Sequence, residues 1–295
     1  MRRFMTVLSA ASVLVISAAV VHAEPDAPAA DAPLVLGYIN SIPPESPEAR
    51  EARHKLIAQR RSQDHIIIVH RGANRVKPEN TLEAYSAAMD LGADGVEFDP
   101  RKSKDGVLYI MHDDRLDRTT RTGKGRGRDH TYYEILQAGI KGGDKNTRVP
   151  TVAAFLTLAR ERGMLLHLDV KEPGLQEELE RLLDEADMWD HVVEVNASNA
   201  ERLRSHPKVK LIPFKWGDVP NDDKSEAARA GIQAWINRKE GKLGMVDDPR
   251  AVCKALGREP QEFKPIPKYL RAYWSPSGIV SKPAQPGPTT IPADQ

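Results

Sequence analysis

Apolar residues along this chain fall into two alternating rhythms. Short continuous runs, Ile66-Ile67-Ile68-Val69 foremost, have the β-branched composition of strands buried on both faces. Similar runs recur at 95–98, 107–111, 165–170, 192–195, 209–214, 232–236 and around Met245-Val246. Between several of them apolar positions return at helical spacing: 81–89, closed by Gly92, then 152–162, 176–188, 200–205, 225–230 and, last, 250–256. Strands alternating with helices predict a parallel α/β architecture, and eight strand candidates predict a TIM-type (β/α)8 barrel. The link from 98 to 107 is too short for a crossover helix and carries Asp105-Gly106, a hairpin-turn signal. The expected barrel is therefore small or irregular, with a hairpin-like segment over 95–112.

The flanks read differently. Arg2 and Arg3 precede a modest apolar stretch over 7–21 that ends at Val21-His22-Ala23, the pattern of an export signal cleaved near Ala23. The stretch is short for a spanning helix of ~20 residues, so export to a periplasmic or secreted location is expected, with no stable membrane anchor. Residues 24–63 form a leader, rich in Ala, Pro and Asp at first and then patterned as a charged helix from 45. Residues 276–295 form a Pro-rich tail with too little apolar content to fold. One domain remains, over 64–275. Of 295 residues, 40% are hydrophobic and 29% charged, enough for a substantial core, and the net charge of +1 gives no basic field for nucleic acid. Cys253 is the single cysteine, which excludes an intrachain disulfide framework.

Chemistry-bearing residues gather at the ends of the apolar runs: His70-Arg71, Glu97 and Asp99, His112, Asp169 and Lys171. If Asp105-Gly106 is a two-residue loop, Asp99 faces His112 across the hairpin, and Glu97 shares the face of Asp99 because strand side chains alternate. Carboxylates roughly 7 Å apart repel by about 2 kcal/mol at an effective dielectric near 20. A hard divalent cation, Mg²⁺ or Ca²⁺, offsets this, prefers carboxylate oxygen and bridges it to phosphate. Asp169 offers a third carboxylate; the plain alternative is three separate ion-paired strand ends. Arg71 has the planar fork suited to phosphate, and Gly72 permits a close backbone approach. His70 and His112 can act as paired acid and base, and Lys171 adds a point charge for phosphate or the leaving oxygen. Arg118, Arg121, Lys124, Arg126 and Arg128 read as a solvated basic loop, or as one that contributes to the pocket and draws in anionic substrates.

Taken in order, His70-Arg71-Gly72, Pro78-Glu79-Asn80-Thr81, the run from Gly92 to Asp99, Lys104-Asp105-Gly106, His112-Asp113, the run from Leu116 to Thr120 and Gly123-Lys124-Gly125 resemble the glycerophosphodiester phosphodiesterase family. The match is dense over about 65–172. The resemblance implies a TIM-type barrel that cleaves small-molecule glycerophosphodiesters to glycerol phosphate and an alcohol with a divalent cation. Carried over by position, His70 and His112 are the acid/base pair, Glu97, Asp99 and Asp169 the metal ligands, and Arg71 a phosphate-binding residue, with Lys171 matching the family's strand lysine. Where the family has Glu, this chain has Asp169, a shorter reach that bears on metal preference. Downstream, the likeness is thinner, at Ala234-Trp235-Ile236-Asn237 and Val246-Asp247-Asp248-Pro249. Phe214 and Trp235 are candidates for the alcohol pocket or ordinary core residues. Rival expectations are a phospholipase D-like or phosphoinositide-cleaving barrel acting on lipid, and a non-catalytic binding protein on the same fold.

Overall fold

The structure, a computed structural model, describes residues 41–196, 200–212, 215–216, 232–235, 243–267 and 270. The expected export signal, most of the early leader, the helix at 225–230 and the tail at 276–295 lie outside the described residues.

Local chemistry sets the elements. Helix α1 (Pro47–Arg61) opens on Ser46, whose hydroxyl accepts from the Ala49 N–H at 3.2 Å, with Pro47 in a first turn that needs no donor. Strand β1 (Ile66–Val69) is buried throughout. Helix α2 (Leu82–Asp90) is capped by Thr81 and leads to β2 (Gly95–Phe98). A hairpin of β3 (Pro100–Lys102) and β4 (Leu108–Ile110) follows, then α3 (Tyr132–Gln137), which starts on a reciprocal capping box of Thr131 and Glu134. Helix α4 (Val152–Arg162) runs from its Thr151 cap to left-handed Gly163. The remaining elements are β5 (Leu165–Asp169), α5 (Gln176–Ala186), β6 (Val192–Asn196), α6 (Glu201–Arg204), β7 (Lys215–Trp216), β8 (Ile232–Trp235), β9 (Leu243–Val246) and α7 (Pro249–Ala255).

The main sheet has the order β6-β5-β2-β1-β9-β8-β7. Its pairs from β6 to β9 are parallel, the α/β arrangement that the alternation of strand and helix predicts. Two late pairs depart from an all-parallel order: β8 runs antiparallel to β9, and β7 antiparallel to β8. Val209 to Ile212 form no strand, although the Ile212 N–H still reaches the Val193 carbonyl at 2.8 Å. Pro207 and Pro213 flank that run and have no N–H for a ladder.

The hairpin forms, but its register differs from the expected one. Pro100 lies opposite Ile110 and Lys102 opposite Leu108, with the Ser103 N–H on the Val107 carbonyl at 3.0 Å. The loop is thus the three residues 104–106, closed by Gly106 at φ +85°, a conformation that favours glycine. One Asp105 oxygen accepts from both the Ser103 hydroxyl (2.6 Å) and the Tyr132 N–H at the start of α3 (2.8 Å), which ties the loop to that helix. Asp99 consequently lies opposite Met111, whose N–H bonds its carbonyl at 3.0 Å, and not opposite His112.

Alternation along the strands sorts the two faces. Ile67, Val69, Val96, Phe98, Leu166 and Leu168 belong to the large core on the helix side. Ile66, Ile68, Leu165 and Val193 form a second cluster on the opposite face, joined by Ile57 of α1. On that opposite face the side chains change character toward the carboxyl ends, from Ile66 and Ile68 to His70, from Gly95 to Glu97, and from Leu165 through His167 to Asp169.

Candidate active site

Because β1, β2, β5 and β9 are parallel, their carboxyl ends share one rim, where ligands bind in open and closed α/β sheets alike. Glu97 is paired in register with His167, and two residues further along β5 stands Asp169. Glu97, Asp99 and Asp169 each offer an oxygen within 4.8 Å of the others. The acids thus converge as alternation and a neighbouring strand allow: Glu97 and Asp99 stand two residues apart, and the β2–β5 pairing brings in Asp169.

Two of the three acids are buried and closely supported, while Asp169 is 21% exposed on its side chain. Glu97 is 1% exposed and Asp99 fully buried. The Arg71 N–H donates to Glu97 Oε2 at 2.9 Å, while buried Glu97 Oε1 has no hydrogen-bond partner. Asp99 accepts from Asn80 Nδ2 at 2.7 Å, and Asn80 Oδ1 in turn accepts from the Tyr85 hydroxyl at 2.6 Å. Tyr85 is held by Phe155 of α4, which also packs on Phe98, both at 4.5 Å between ring centroids. Burial, together with the charges of Asp99 and Asp169, pushes Glu97 well above the usual carboxylate range. Burial also opposes ionisation of Asp99, but the Lys171 ammonium and the hydrogen bond from Asn80 outweigh it and hold that carboxyl below its ordinary value. Burial drives His167 down to about 3, so it remains a neutral wall of the cluster.

These features fit a divalent cation. The donor set is all carboxylate oxygen, the choice of Mg²⁺ and Ca²⁺, and a buried acceptor stands without a donor. Glu180, Asp184 and His206 also approach one another, but Arg202 bonds Glu180, Lys208 and Trp189 bond Asp184, and His206 stacks on Trp189 at 3.7 Å.

Each expected histidine is held through Nδ1 by a carboxylate. His70 meets Asp247 Oδ1 at 2.8 Å, because the Val69–Val246 register of β1 and β9 continues one residue further. His112 meets Asp113 Oδ1 at 2.8 Å. His112 lies close enough to Asp99 for its charge to lower that acid. Arg71 sits at φ +56°, an uncommon backbone state for a residue with a Cβ, and its guanidinium lies 3.3 Å from Glu79 and 3.8 Å from Asp99. Gly72 does permit a close approach, but to α2: a Cβ there would meet the Ala84 backbone at 2.8 Å. The Lys171 ammonium is bonded to Asp169 and lies 3.1 Å from Asp99. Phe214 and the Trp235 side chain lie outside the described residues.

Three partners at this rim were not singled out by the sequence reading. Asp247 stands far along the chain from His70, and only strand pairing joins them. Asp113 is adjacent to His112, and its sequence position was the available signal. Arg118, read as part of a basic loop, bonds both Asp113 and Glu79.

The family model for "Glycerophosphoryl diester phosphodiesterase family" matches residues 70–214. A glycerophosphodiester phosphodiesterase of Caldanaerobacter subterraneus subsp. tengcongensis is 37% identical over 153 residues, which span 49% of this chain and 62% of that protein. The "Probable glycerophosphodiester phosphodiesterase 1" of Mycobacterium tuberculosis is 54% identical over 119 residues, 37% of this chain and 43% of that protein. A crystal structure of glycerophosphodiester phosphodiesterase from Agrobacterium tumefaciens overlays with a TM-score of 0.44 at 33% identity, covering 48% of this chain and 62% of that one. The chain thus spans between two fifths and two thirds of these proteins' length, and the stretch that the family model matches holds His70, Arg71, Glu97, Asp99, His112, Asp169 and Lys171. Over that matched stretch, 70–214, the chain belongs to the glycerophosphoryl diester phosphodiesterase family.

Proposed function

We propose that this chain hydrolyses glycerophosphodiesters to glycerol phosphate and an alcohol, with Glu97, Asp99 and Asp169 holding a divalent cation, Mg²⁺ or Ca²⁺. The observation that carries this reading is the meeting of three carboxylates within 4.8 Å at a strand rim flanked by two carboxylate-held histidines. When bound, the cation supplies positive charge that neutralises the phosphodiester and polarises it toward attack. Arg71 and Lys171 add fixed positive charge beside the same acids. With Nδ1 of each ring engaged by Asp247 or Asp113, each imidazole exchanges protons through Nε2. One histidine takes the proton from the nucleophile and the other delivers one to the departing alkoxide. The nucleophile is either water or a neighbouring hydroxyl of the substrate, and the latter route leaves a cyclic phosphate.

The test is hydrolysis of glycerophosphocholine by the full chain, with Mg²⁺, Ca²⁺ and chelator compared in parallel and products resolved by ³¹P NMR. Chelator-sensitive release of glycerol phosphate is expected, and a transient cyclic phosphate identifies the substrate-hydroxyl route. Absence of turnover on every glycerophosphodiester with every cation overturns the reading.

A further inference from the structure

The guanidinium of Arg118 uses two edges at once. Nε and Nη2 donate to Asp113 at 2.5 and 2.9 Å, while Nη1 and Nη2 donate to Glu79 at 2.8 and 2.7 Å. Asp113 holds the His112 ring, and Glu79 accepts from Arg71 Nη1 at 3.3 Å. A continuous chain of charge-assisted bonds thus runs His112–Asp113–Arg118–Glu79–Arg71. It joins the segment that follows β4 to the one that precedes α2, elements with no ladder between them. A planar fork is required for this, since a lysine ammonium cannot present two paired edges to two carboxylates.

We infer that Arg118 is a positioning residue that locks the His112 and Arg71 sides of the site into one unit through Asp113 and Glu79. This rests on the roles given to His112 and Arg71 above. Isolated exposed ion pairs contribute little to stability. Arg118 is 48% exposed on its side chain, so its removal leaves the fold in place while freeing two carboxylates that orient the reacting groups. With Arg118 gone, Asp113 is free to turn from the imidazole, and Glu79 is left with the Arg71 fork alone.

The experiment compares the full chain with Arg118→Ala, Arg118→Lys, Glu79→Gln and the Arg118→Ala/Glu79→Gln double variant. Readouts are kcat and KM on glycerophosphocholine, and the ¹⁵N resonances of the His112 ring in metal-free protein. Arg118→Ala is expected to lose roughly 10- to 100-fold in kcat, with a smaller change in KM. Arg118→Lys is expected not to restore it, and the double variant to lose much less than the product of the single losses. The His112 resonances are expected to shift in both Arg118 variants, which a purely structural role does not produce. Retention of kcat within about twofold, or unmoved His112 resonances, overturns the inference. If the parent turns over no diester, the functional reading fails and the ring resonances alone decide the role of Arg118.

Discussion

Glu97 is where burial and charge oppose each other most. One oxygen is satisfied by the Arg71 N–H, the other has no donor, and Asp99 and Asp169 stand beside it. At 4.8 Å, two ionised carboxylates repel by ~3 kcal/mol at an effective dielectric near 20. Glu97→Gln keeps an acceptor for the Arg71 N–H and removes that repulsion. The expected result is loss of Mg²⁺ and Ca²⁺ binding by titration calorimetry, with an unchanged or higher melting temperature in chelator. His70→Ala and His112→Ala are expected to lower turnover by on the order of 10² to 10⁴ while melting moves by only a few degrees. The seven candidate residues were readable from sequence because each terminates or follows an apolar run. Asp247 was not, since a carboxylate that follows Val246 has nothing local to point at His70. Arg118 was left between two readings for a different reason: composition does not distinguish a solvated arginine from one pinned between two acids.

Among the elements, apolar runs of four or five residues marked β1, β2, β5 and β6 correctly, and helical spacing marked α2, α4 and α5, although Thr81 caps α2 where Asn80 or Glu79 is the opening residue expected from sequence. The hairpin at Asp105-Gly106 was equally plain, yet its register was off by one residue. The cause is a tertiary contact: the Asp105 carboxylate accepts the Tyr132 N–H, a partner invisible to a local turn rule. Gly106→Val places a β-branched residue at φ +85° and is expected to cost about 1 kcal/mol or more in urea unfolding. Phe155 shows how packing reaches chemistry. It seats Tyr85, whose hydroxyl fixes Asn80, which in turn fixes Asp99. Phe155→Ala is therefore expected to cost roughly 3–5 kcal/mol of stability and also to weaken cation affinity in the molecules that remain folded.

At the scale of the whole molecule, buried histidines tie stability to pH, and His191 is the one fully buried away from the acids of the rim. Its Nδ1–H donates to the Met164 carbonyl at 2.6 Å, and its Nε2 accepts from Arg53 Nη1 at 3.1 Å, so the neutral ring satisfies both partners. Burial pushes it down to about 3, from an ordinary 6.5 in the unfolded chain. Between those values the unfolded state holds the extra proton, so this contribution is complete above about 6.5 and declines as pH falls toward 3. Urea unfolding at stepped pH should show parent and His191→Gln diverging most near neutrality and converging in acid, by on the order of a few kcal/mol. Arg53, the partner of that ring, belongs to α1 and also bonds Glu45 and the Asp187 carbonyl.

That placement of α1 bears on how the protein can be shortened. Ile57 closes the foot of the strand face whose head carries His70, Glu97 and Asp169, so a version trimmed to start at Asp64 lets water under Ile66, Ile68 and Leu165. Such a version should bind hydrophobic dyes and precipitate, whereas one that keeps Glu45 onward stays clear. Digestion that nicks the backbone between Arg61 and His65 should abolish diester cleavage without touching a single reacting group.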